Sequence, residues 1–328
     1  MSKVRAAITA VEGYVPDYIL TNDELSRMVD TSDEWIMTRI GIKERHILKG
    51  EKGPSDMAEI VLKRIFEKKG ISPDEIELII CCTVTPDMVF PATANVIAEK
   101  CGVKHGFGFD INAGCSGFIY GLTTAAKYIE AGFVKKAIVV GAEKMSAIVN
   151  YEDRATCPIF GDGAAAVLLE ATEGEYGLID EVLYSDGEGV KHLHQVAGGS
   201  VKPPTHQTID AKEHYIYQEG QAVFKWAVVK MAEATEEILR RNNMTSKDIA
   251  YLLPHQANLR IIVATGNRLE LEPEKVLVNI EKYGNTTSAT IPMLMFENQH
   301  KFKKGDNLIL TSFGAGFTWG AILLKWAI

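Results

Sequence analysis

Short apolar runs alternate with helix-length stretches along much of the chain. "IELIICC" (76–82), after the turn residues Ser72-Pro73-Asp74, predicts a buried strand, and "FGFDIN" (107–112) predicts another. From 116 to 131 the apolar side chains fall at Phe118, Leu122, Ala125, Ala126 and Ile129, the spacing of a helix packed on one face. Gly132 marks its end, and "KAIVVGAE" (136–143) returns to a strand pattern. Strand and helix in alternation are the rhythm of an α/β protein. The stretch 186–220 breaks that rhythm: it is polar, rich in Gly and Pro, and carries four of the eight histidines. It predicts a long surface loop, of a length at which loops often cover a site.

The pattern occurs twice. "ISPDEIELII" (71–80) has a partner in "MTSKDIAYLL" (244–253), 173 positions later. "KKAIVVGAE" resembles "GDNLILTSFGAG" (305–316), and "FGDGAAAVLL" (160–169) shares its F-G-x-G start with "FGAGFTWGAILL" (313–324). Adding 170 to Cys115 gives Asn285, again directly after a glycine. Four matches in one order predict a duplication. Its seam falls in "EATEGEYG" (170–177), dividing the chain into residues 1–172 and 173–328, whose corresponding strand ends should face a shared site.

Composition narrows the class. With 328 residues, 46% hydrophobic and 24% charged, the chain is that of a folded protein of two domains or one large duplicated one. Its net charge is −8 and no long basic run occurs, which argues against nucleic acid as a partner. "MSKVRAAITAVEGYVP" lacks the apolar core of a secretory leader, and no apolar run approaches the roughly 18 residues of a membrane span. Five cysteines, an odd number in a chain this long, fit a reducing cytoplasm better than a disulfide framework.

Candidate chemistry centres on "DINAGCSGFIYGL" (110–122), where Cys115 stands at a strand-to-helix turn. Unpaired N–H groups and the helix dipole favour negative charge there, an environment that lowers a thiol from about 8.5 toward neutrality. The adjoining glycines leave room for a substrate carbonyl. A buried structural cysteine is the competing reading, and the one adopted for Cys81, Cys82, Cys101 and Cys157. His255, in "LLPHQANLRI" (252–261), follows the tip of an apolar strand, and Asn285 lies in "YGNTTSATIP". Together the three supply a nucleophile and two neutral hydrogen-bond donors for a developing oxyanion. Papain-like hydrolases use the same residue types, so the types alone leave the reaction open. His192 and His194 have a ligand-like spacing but no accompanying Cys, His or carboxylate set, so no metal is expected.

The surroundings carry a resemblance. "NAGCSGF", "HQANLRI", "GNTTSATIP" and "FGAGFTWG", in that order, resemble the condensing enzymes of the thiolase superfamily. "VDTSDEWIMTRIGIKER" (29–45) is similar to the N-terminal signature of the β-ketoacyl-acyl-carrier-protein synthase III family, and the likeness runs from about residue 4 to the C-terminus. It implies a thiolase-like α/β fold, a duplicated αβαβα sandwich with two pseudo-symmetric halves. The first half would carry the nucleophile, the second the catalytic His and Asn.

By this resemblance Cys115 takes an acyl group from a short acyl-coenzyme A in the first half of a ping-pong reaction. His255 and Asn285 then hold the thioester carbonyl of malonyl-acyl-carrier protein, whose loss of carbon dioxide leaves an enolate that attacks the acyl-Cys115 carbon. A second oxyanion hole uses the backbone N–H groups of Cys115 and Ala315, the latter commonly glycine in relatives. Coenzyme A is a substrate, and no cofactor is implied. Trp35 and Arg154 would sandwich its adenine, with Thr31 and Arg39 nearby and Phe224 and Asn258 lining the pantetheine tunnel. Phe90 maps to a position that crosses a homodimer interface and closes the partner's acyl pocket. Lys225, Arg260 and Arg268 are candidates for docking the acidic carrier protein, since the chain as a whole is also negative. Gln218 and Gln221 depart from the family's usual Met and Asn.

The reading is therefore initiation of type II fatty-acid synthesis. Its rivals are a related condensing enzyme of secondary metabolism with another acyl donor, and a non-catalytic acyl-coenzyme A or carrier-protein binding protein. Elongating synthases use Cys-His-His where this chain has Asn285, and degradative thiolases typically have a second cysteine where it has "SFGAGFTWG". A binding-only relative usually loses a catalytic side chain, whereas all three remain here.

Overall fold

The apolar runs form two stacked sheets in a computed structural model that describes residues 4–328. The first contains β1 (Val4–Tyr14), β4 (Leu78–Cys82), β5 (Phe107–Ile111), β6 (Lys136–Lys144) and β7 (Asp162–Glu173), in the order β1-β7-β6-β4-β5. The second contains β8 (Gly177–Ser185), β11 (Tyr251–Pro254), β12 (Asn307–Gly314) and β13 (Thr318–Lys325), in the order β8-β13-β12-β11. Both read antiparallel, antiparallel, parallel from the β1 or β8 edge. The matches found in the sequence therefore pair β4 with β11, β6 with β12 and β7 with β13.

The fifth position differs. In the first sheet β5 runs parallel to β4, whereas beside β11 there is only an isolated bridge at Val276 and a Leu277 N–H donated to the Leu252 carbonyl at 3.0 Å. Cys115 follows the full strand and Asn285 follows its rudiment.

Five layers result. Helices α3 (Pro54–Lys69) and α4 (Thr93–Cys101) cover the outer face of the first sheet. Helices α5 (Gly117–Glu130) and α10 (Thr290–Asn298) fill the space between the sheets, and α7 (Gly220–Arg241), with α8 (Leu259–Arg268) against it, covers the second. In β4, Leu78, Ile80 and Cys82 point into the central layer while Ile79 and Cys81 face the α3–α4 side. Two buried faces explain why the strand reads as an unbroken apolar run. Cys81, Cys82, Cys101 and Cys157 are all buried, as expected of structural cysteines.

The smaller elements are the hairpin β2 (Ile19–Thr21) with β3 (Glu44–His46), helices α1 (Asn22–Ser26) and α2 (Asp33–Arg39), and α9 (Ile280–Tyr283). The 186–220 segment is not the open loop anticipated. It holds β9 (Leu193–Gln195) paired with β10 (Ile216–Gln218), and a short helix α6 (His206–Asp210) capped by Thr205. The Ile216 N–H donates to the Ile148 carbonyl at 2.9 Å, and Lys202 is bound to Glu213. Its polar residues satisfy one another, which is why composition alone reads it as solvated. No helix among the described residues is long and apolar enough to cross a membrane.

Candidate functional site

Cys115 lies on the turn between β5 and α5. Gly114 has φ +54°, and a Cβ there would stand 2.6 Å from the Ala315 nitrogen; one at Gly314 would strike the Cys115 backbone. These glycines let the two halves touch. Three hydrogen bonds lock the contact: Ser312 Oγ donates to the Cys115 carbonyl (2.9 Å), Ser116 Oγ to that of Thr318 (3.0 Å) and Thr318 Oγ1 to that of Ala113 (2.7 Å). The backbones of Cys115 and Ala315 consequently sit side by side. Ser116 occupies the N-cap position of α5 but reaches across the halves instead of capping. The first turn of the helix is thus left without a side-chain cap beside the thiol.

Asn285 enters from the second half. Its N–H donates to the Ile159 carbonyl (2.8 Å), its own carbonyl accepts from Gly161 (3.1 Å), and Oδ1 accepts from the Thr287 N–H (2.8 Å). With Oδ1 so engaged, the NH2 end of the amide remains as the donor, and it opposes the rise of the Cys115 thiol. Thr287 itself has φ +52°, a costly region for a β-branched residue. The turn is braced from below by Ser288, whose hydroxyl lies 2.6 Å from the Cys82 carbonyl and 2.8 Å from Glu143.

His255 follows β11. Its backbone N–H donates to the Thr311 carbonyl (2.8 Å), and its Nδ1 is 2.6 Å from Thr290 Oγ1. Nε2 is buried without a partner among the described residues. The neighbouring Gln256 ties His255 to the Asn285 loop: its Nε2 donates to the Pro254 and Leu277 carbonyls, and its Oε1 accepts from the Asn279 and Ile280 N–H groups.

Burial dominates the electrostatics. It pushes the Cys115 thiol up to about 12, the Glu143 carboxylate adding to the rise and the Asn285 amide opposing it. The expectation of a thiol lowered toward neutrality is thus corrected: at this buried position desolvation of a thiolate outweighs the helix terminus. Burial likewise raises Glu143, against hydrogen bonds from Thr85, Ser288, Val84 and Thr83.

Burial brings His255 down to about 3, so it is neutral near pH 7. An unfolded His titrates near 6.5. Above that pH the stabilisation from burying a neutral ring is fully present; below it the unfolded chain binds a proton that the folded one does not. Stability should fall by about 1.4 kcal/mol per pH unit until the folded ring titrates. Urea unfolding at pH 6.5 and 5 should show the wild type losing about 1.6 kcal/mol more than His255→Gln. Equal losses would mean that His255 is not buried neutral.

These groups line one cavity of about 1020 Å³. Of the residues expected in the site, Trp35, Arg39, Cys115, Phe224, His255, Asn258, Arg260, Asn285 and Ala315 all line it, as do Gln218 and Gln221. Arg154 lies at the rim, its guanidinium 5.1 Å from the Trp35 ring and 3.3 Å from Asp30. Thr31 is close by in sequence, its hydroxyl buried without a partner, but is not part of the lining. The Asn258 amide is already engaged, capping α8 through Arg260 N and donating to the Arg39 carbonyl (3.1 Å). Phe90 does not reach the cavity of its own chain: it is 84% exposed. Lys225 and Arg260 are exposed with no carboxylate in ion-pair distance among the described residues, whereas Arg268 is paired with Glu236 at 3.2 Å. His192 is bound to Glu219, and no group of three or more His, Cys, Asp or Glu able to hold a metal occurs among the described residues.

Sequence reasoning missed Glu143, Gln256, Ser288, Thr290 and Ser312. Glu143 carried a signal, a lone acid ending an apolar strand; Ser288, Thr290 and Ser312 are small polar residues with partners 35 to 206 positions away, and Gln256 acts through nearby loop backbone.

The arrangement has close relatives. Residues 109–187 and 239–326 match the family models described as 3-oxoacyl-[acyl-carrier-protein] synthase III and its C-terminal region. The chain is 55% identical over 327 residues to beta-ketoacyl-[acyl-carrier-protein] synthase III 2 of Bacteroides thetaiotaomicron, covering 99% of this chain and 98% of that one. It is 54% identical over 328 residues to the Porphyromonas gingivalis synthase III, with coverage of 100% and 98%. Among solved structures, 3-oxoacyl-[acyl-carrier-protein] synthase III from Aquifex aeolicus superposes with a TM-score of 0.90 at 40% identity, over 98% of this chain and 100% of that one.

Proposed function

The chain belongs to the 3-oxoacyl-[acyl-carrier-protein] synthase III family, and from that premise we propose how its own residues carry the reaction. The enzyme is an acyltransferase that condenses an acyl primer with a malonyl unit on acyl-carrier protein, the initiating step of type II fatty-acid synthesis. The observation that carries the residue assignment is the convergence of Cys115, His255 and Asn285, drawn from both halves, in one cavity.

In the first half-reaction the Cys115 sulfur attacks the thioester carbon of an acyl-coenzyme A. The backbone N–H groups of Cys115 and Ala315 receive the oxyanion, and coenzyme A leaves with the thiol proton. In the second, the Asn285 amide and His255 hold the thioester oxygen of malonyl-acyl-carrier protein. The bond to the carboxylate breaks, carbon dioxide leaves, and its electron pair passes to that oxygen as an enolate. The enolate carbon then attacks the acyl group, and Cys115 departs to regain a proton. Neutral donors suit this step, because a cationic His would also stabilise the malonyl carboxylate that must be lost. No cofactor enters the scheme, and the protein works in the cytoplasm.

The Arg154 guanidinium lies over the Trp35 ring, 5.1 Å from its centre. Adenine inserted between them needs about two van der Waals spacings, roughly 7 Å, so Arg154 swings outward, at small cost from an exposed ion pair. Arg154→Ala should raise the KM for the acyl-coenzyme A about 3- to 10-fold and leave that for the malonyl partner unchanged. The reverse pattern in steady-state kinetics would remove Arg154 from the adenine site. Thr31, Arg39, Phe224 and Asn258 complete the coenzyme A path, Asn258 by shaping it rather than by its amide.

The edge of the first sheet supports a homodimer. β5 is an edge strand, Phe107 and Phe133 are exposed beside it, and Val89 and Phe90 are 87% and 84% exposed. A second copy covering this apolar edge carries Phe90 from one copy into the acyl pocket of the other. Lys225 and Arg260, free of carboxylates near the cavity mouth, dock the carrier protein, with Arg268 contributing less because Glu236 already pairs it. The seam between the halves is placed between residues 172 and 173, at the end of β7 and before the link to β8.

The test of the whole reading is direct. Purified protein given an acyl-coenzyme A and malonyl-acyl-carrier protein should release carbon dioxide and form a β-ketoacyl-acyl-carrier protein. Binding of both without turnover would favour the non-catalytic reading.

A further inference from the structure

The Nδ1 side of His255 ends on a single hydroxyl. Thr290 Oγ1 lies 2.6 Å from Nδ1 and 3.0 Å from the Thr287 carbonyl oxygen, and all of these groups are buried. A threonine hydroxyl carries one hydrogen, so only one of these two acceptors can receive it. That choice decides the tautomer of His255. If the hydrogen goes to Thr287, the imidazole must supply its own Nδ1–H to Oγ1, and Nε2 faces the cavity as a bare lone pair. If it goes to Nδ1, the ring proton sits on Nε2 and a donor points into the cavity.

One observation selects the second state. The Thr287 carbonyl already accepts the backbone N–H of Thr290, so it does not need the hydroxyl. The hydroxyl is well anchored, since Thr290 opens α10, which packs between the sheets against β1 and β7.

We propose that Thr290 is a positioning residue whose hydroxyl donates to His255 Nδ1, holding the ring as its Nε2–H tautomer with that N–H aimed at the enolate oxygen. Thr290 touches no substrate and acts through His255 alone. The unpartnered Nε2 is then a donor waiting for an acceptor that arrives with the malonyl thioester. The inference rests on the reading of His255 as an oxyanion donor.

The test reads the tautomer first and the reaction second. In protein labelled with 15N-histidine, long-range 1H–15N spectra distinguish protonated from bare ring nitrogens, and the resonances lost in His255→Gln identify His255. The unmodified protein should show Nε2 protonated and Nδ1 bare; the opposite assignment would overturn the proposal without any Thr290 variant. Thr290→Val keeps the shape and removes the hydroxyl, so the Nδ1–H form should become detectable, while Thr290→Ser should restore the wild-type spectrum. A tautomer unchanged in Thr290→Val would also overturn the proposal. Malonyl decarboxylation should fall about tenfold in Thr290→Val, less than the 10²–10³ for complete loss of an oxyanion donor, with Cys115 acylation within about twofold of wild type. A changed tautomer with unchanged decarboxylation would leave Thr290 in control of the ring but overturn the donor role of His255.

Discussion

Cys115→Ala should abolish acyl transfer while leaving malonyl decarboxylation in place. Without the sulfur there is no covalent intermediate, and losing the nucleophile of such a mechanism costs on the order of 10⁶ in turnover. The variant should still fold: Cys115 lines an open cavity, so trimming it enlarges existing space rather than creating a void in a packed core. The Asn285 amide, oriented by the Thr287 N–H, and His255 on its Thr290 contact do not depend on the sulfur for their positions. Carbon dioxide release from malonyl-acyl-carrier protein by a variant that no acyl-coenzyme A can label is therefore the expected pair of results. Simultaneous loss of both activities, in a folded variant, would mean that the two half-reactions do not divide the site as described.

Asn285→Ala should give the mirror image. Deleting one of the two enolate donors is expected to slow decarboxylation about 10²–10³-fold, roughly 3–4 kcal/mol of barrier. Acylation of Cys115, whose oxyanion is received by the Cys115 and Ala315 N–H groups, should fall far less. Some effect there is expected, because the Asn285 amide also lowers the thiol against the rise caused by burial. The substitution also leaves the Thr287 N–H without its acceptor, at about 1–3 kcal/mol of stability, which urea unfolding would register separately. Single-turnover labelling by acyl-coenzyme A, set beside carbon dioxide release, separates the two steps. Equal loss in both would contradict the assignment of Asn285 to the enolate.

What the sequence disclosed and what it hid divide along physical lines. β4 and the α5 helix were legible because their apolar spacing is a local record of which faces are buried. The repeat was legible because two sheets with the same strand order impose the same succession of turns and apolar runs. Cys115 and His255 stood out because each sits where a strand ends at a turn, and Asn285 because it follows a glycine at the matching place in the repeat. Thr290 was not legible, since nothing near it in the chain indicates that its hydroxyl meets a ring 35 positions earlier. Glu143 and Ser288, 145 positions apart, are a similar case. The thiol's direction of shift was misjudged for a related reason: the helix terminus is a local feature, whereas the burial that outweighs it is supplied by both halves. In 186–220 the hydrogen bonds and the Lys202–Glu213 pair that order the segment are formed among polar residues, and composition cannot tell those from solvated ones.

The most direct measurement of the central claim is the intact mass of the protein after incubation with a panel of acyl-coenzyme A thioesters, followed by mapping of the modified peptide. A single acyl adduct on Cys115, chased off by malonyl-acyl-carrier protein as β-ketoacyl product, is the predicted result, and the thioester that labels fastest names the primer. Folded, reduced protein that acquires no adduct from any thioester, or acquires one at another residue, would contradict the account.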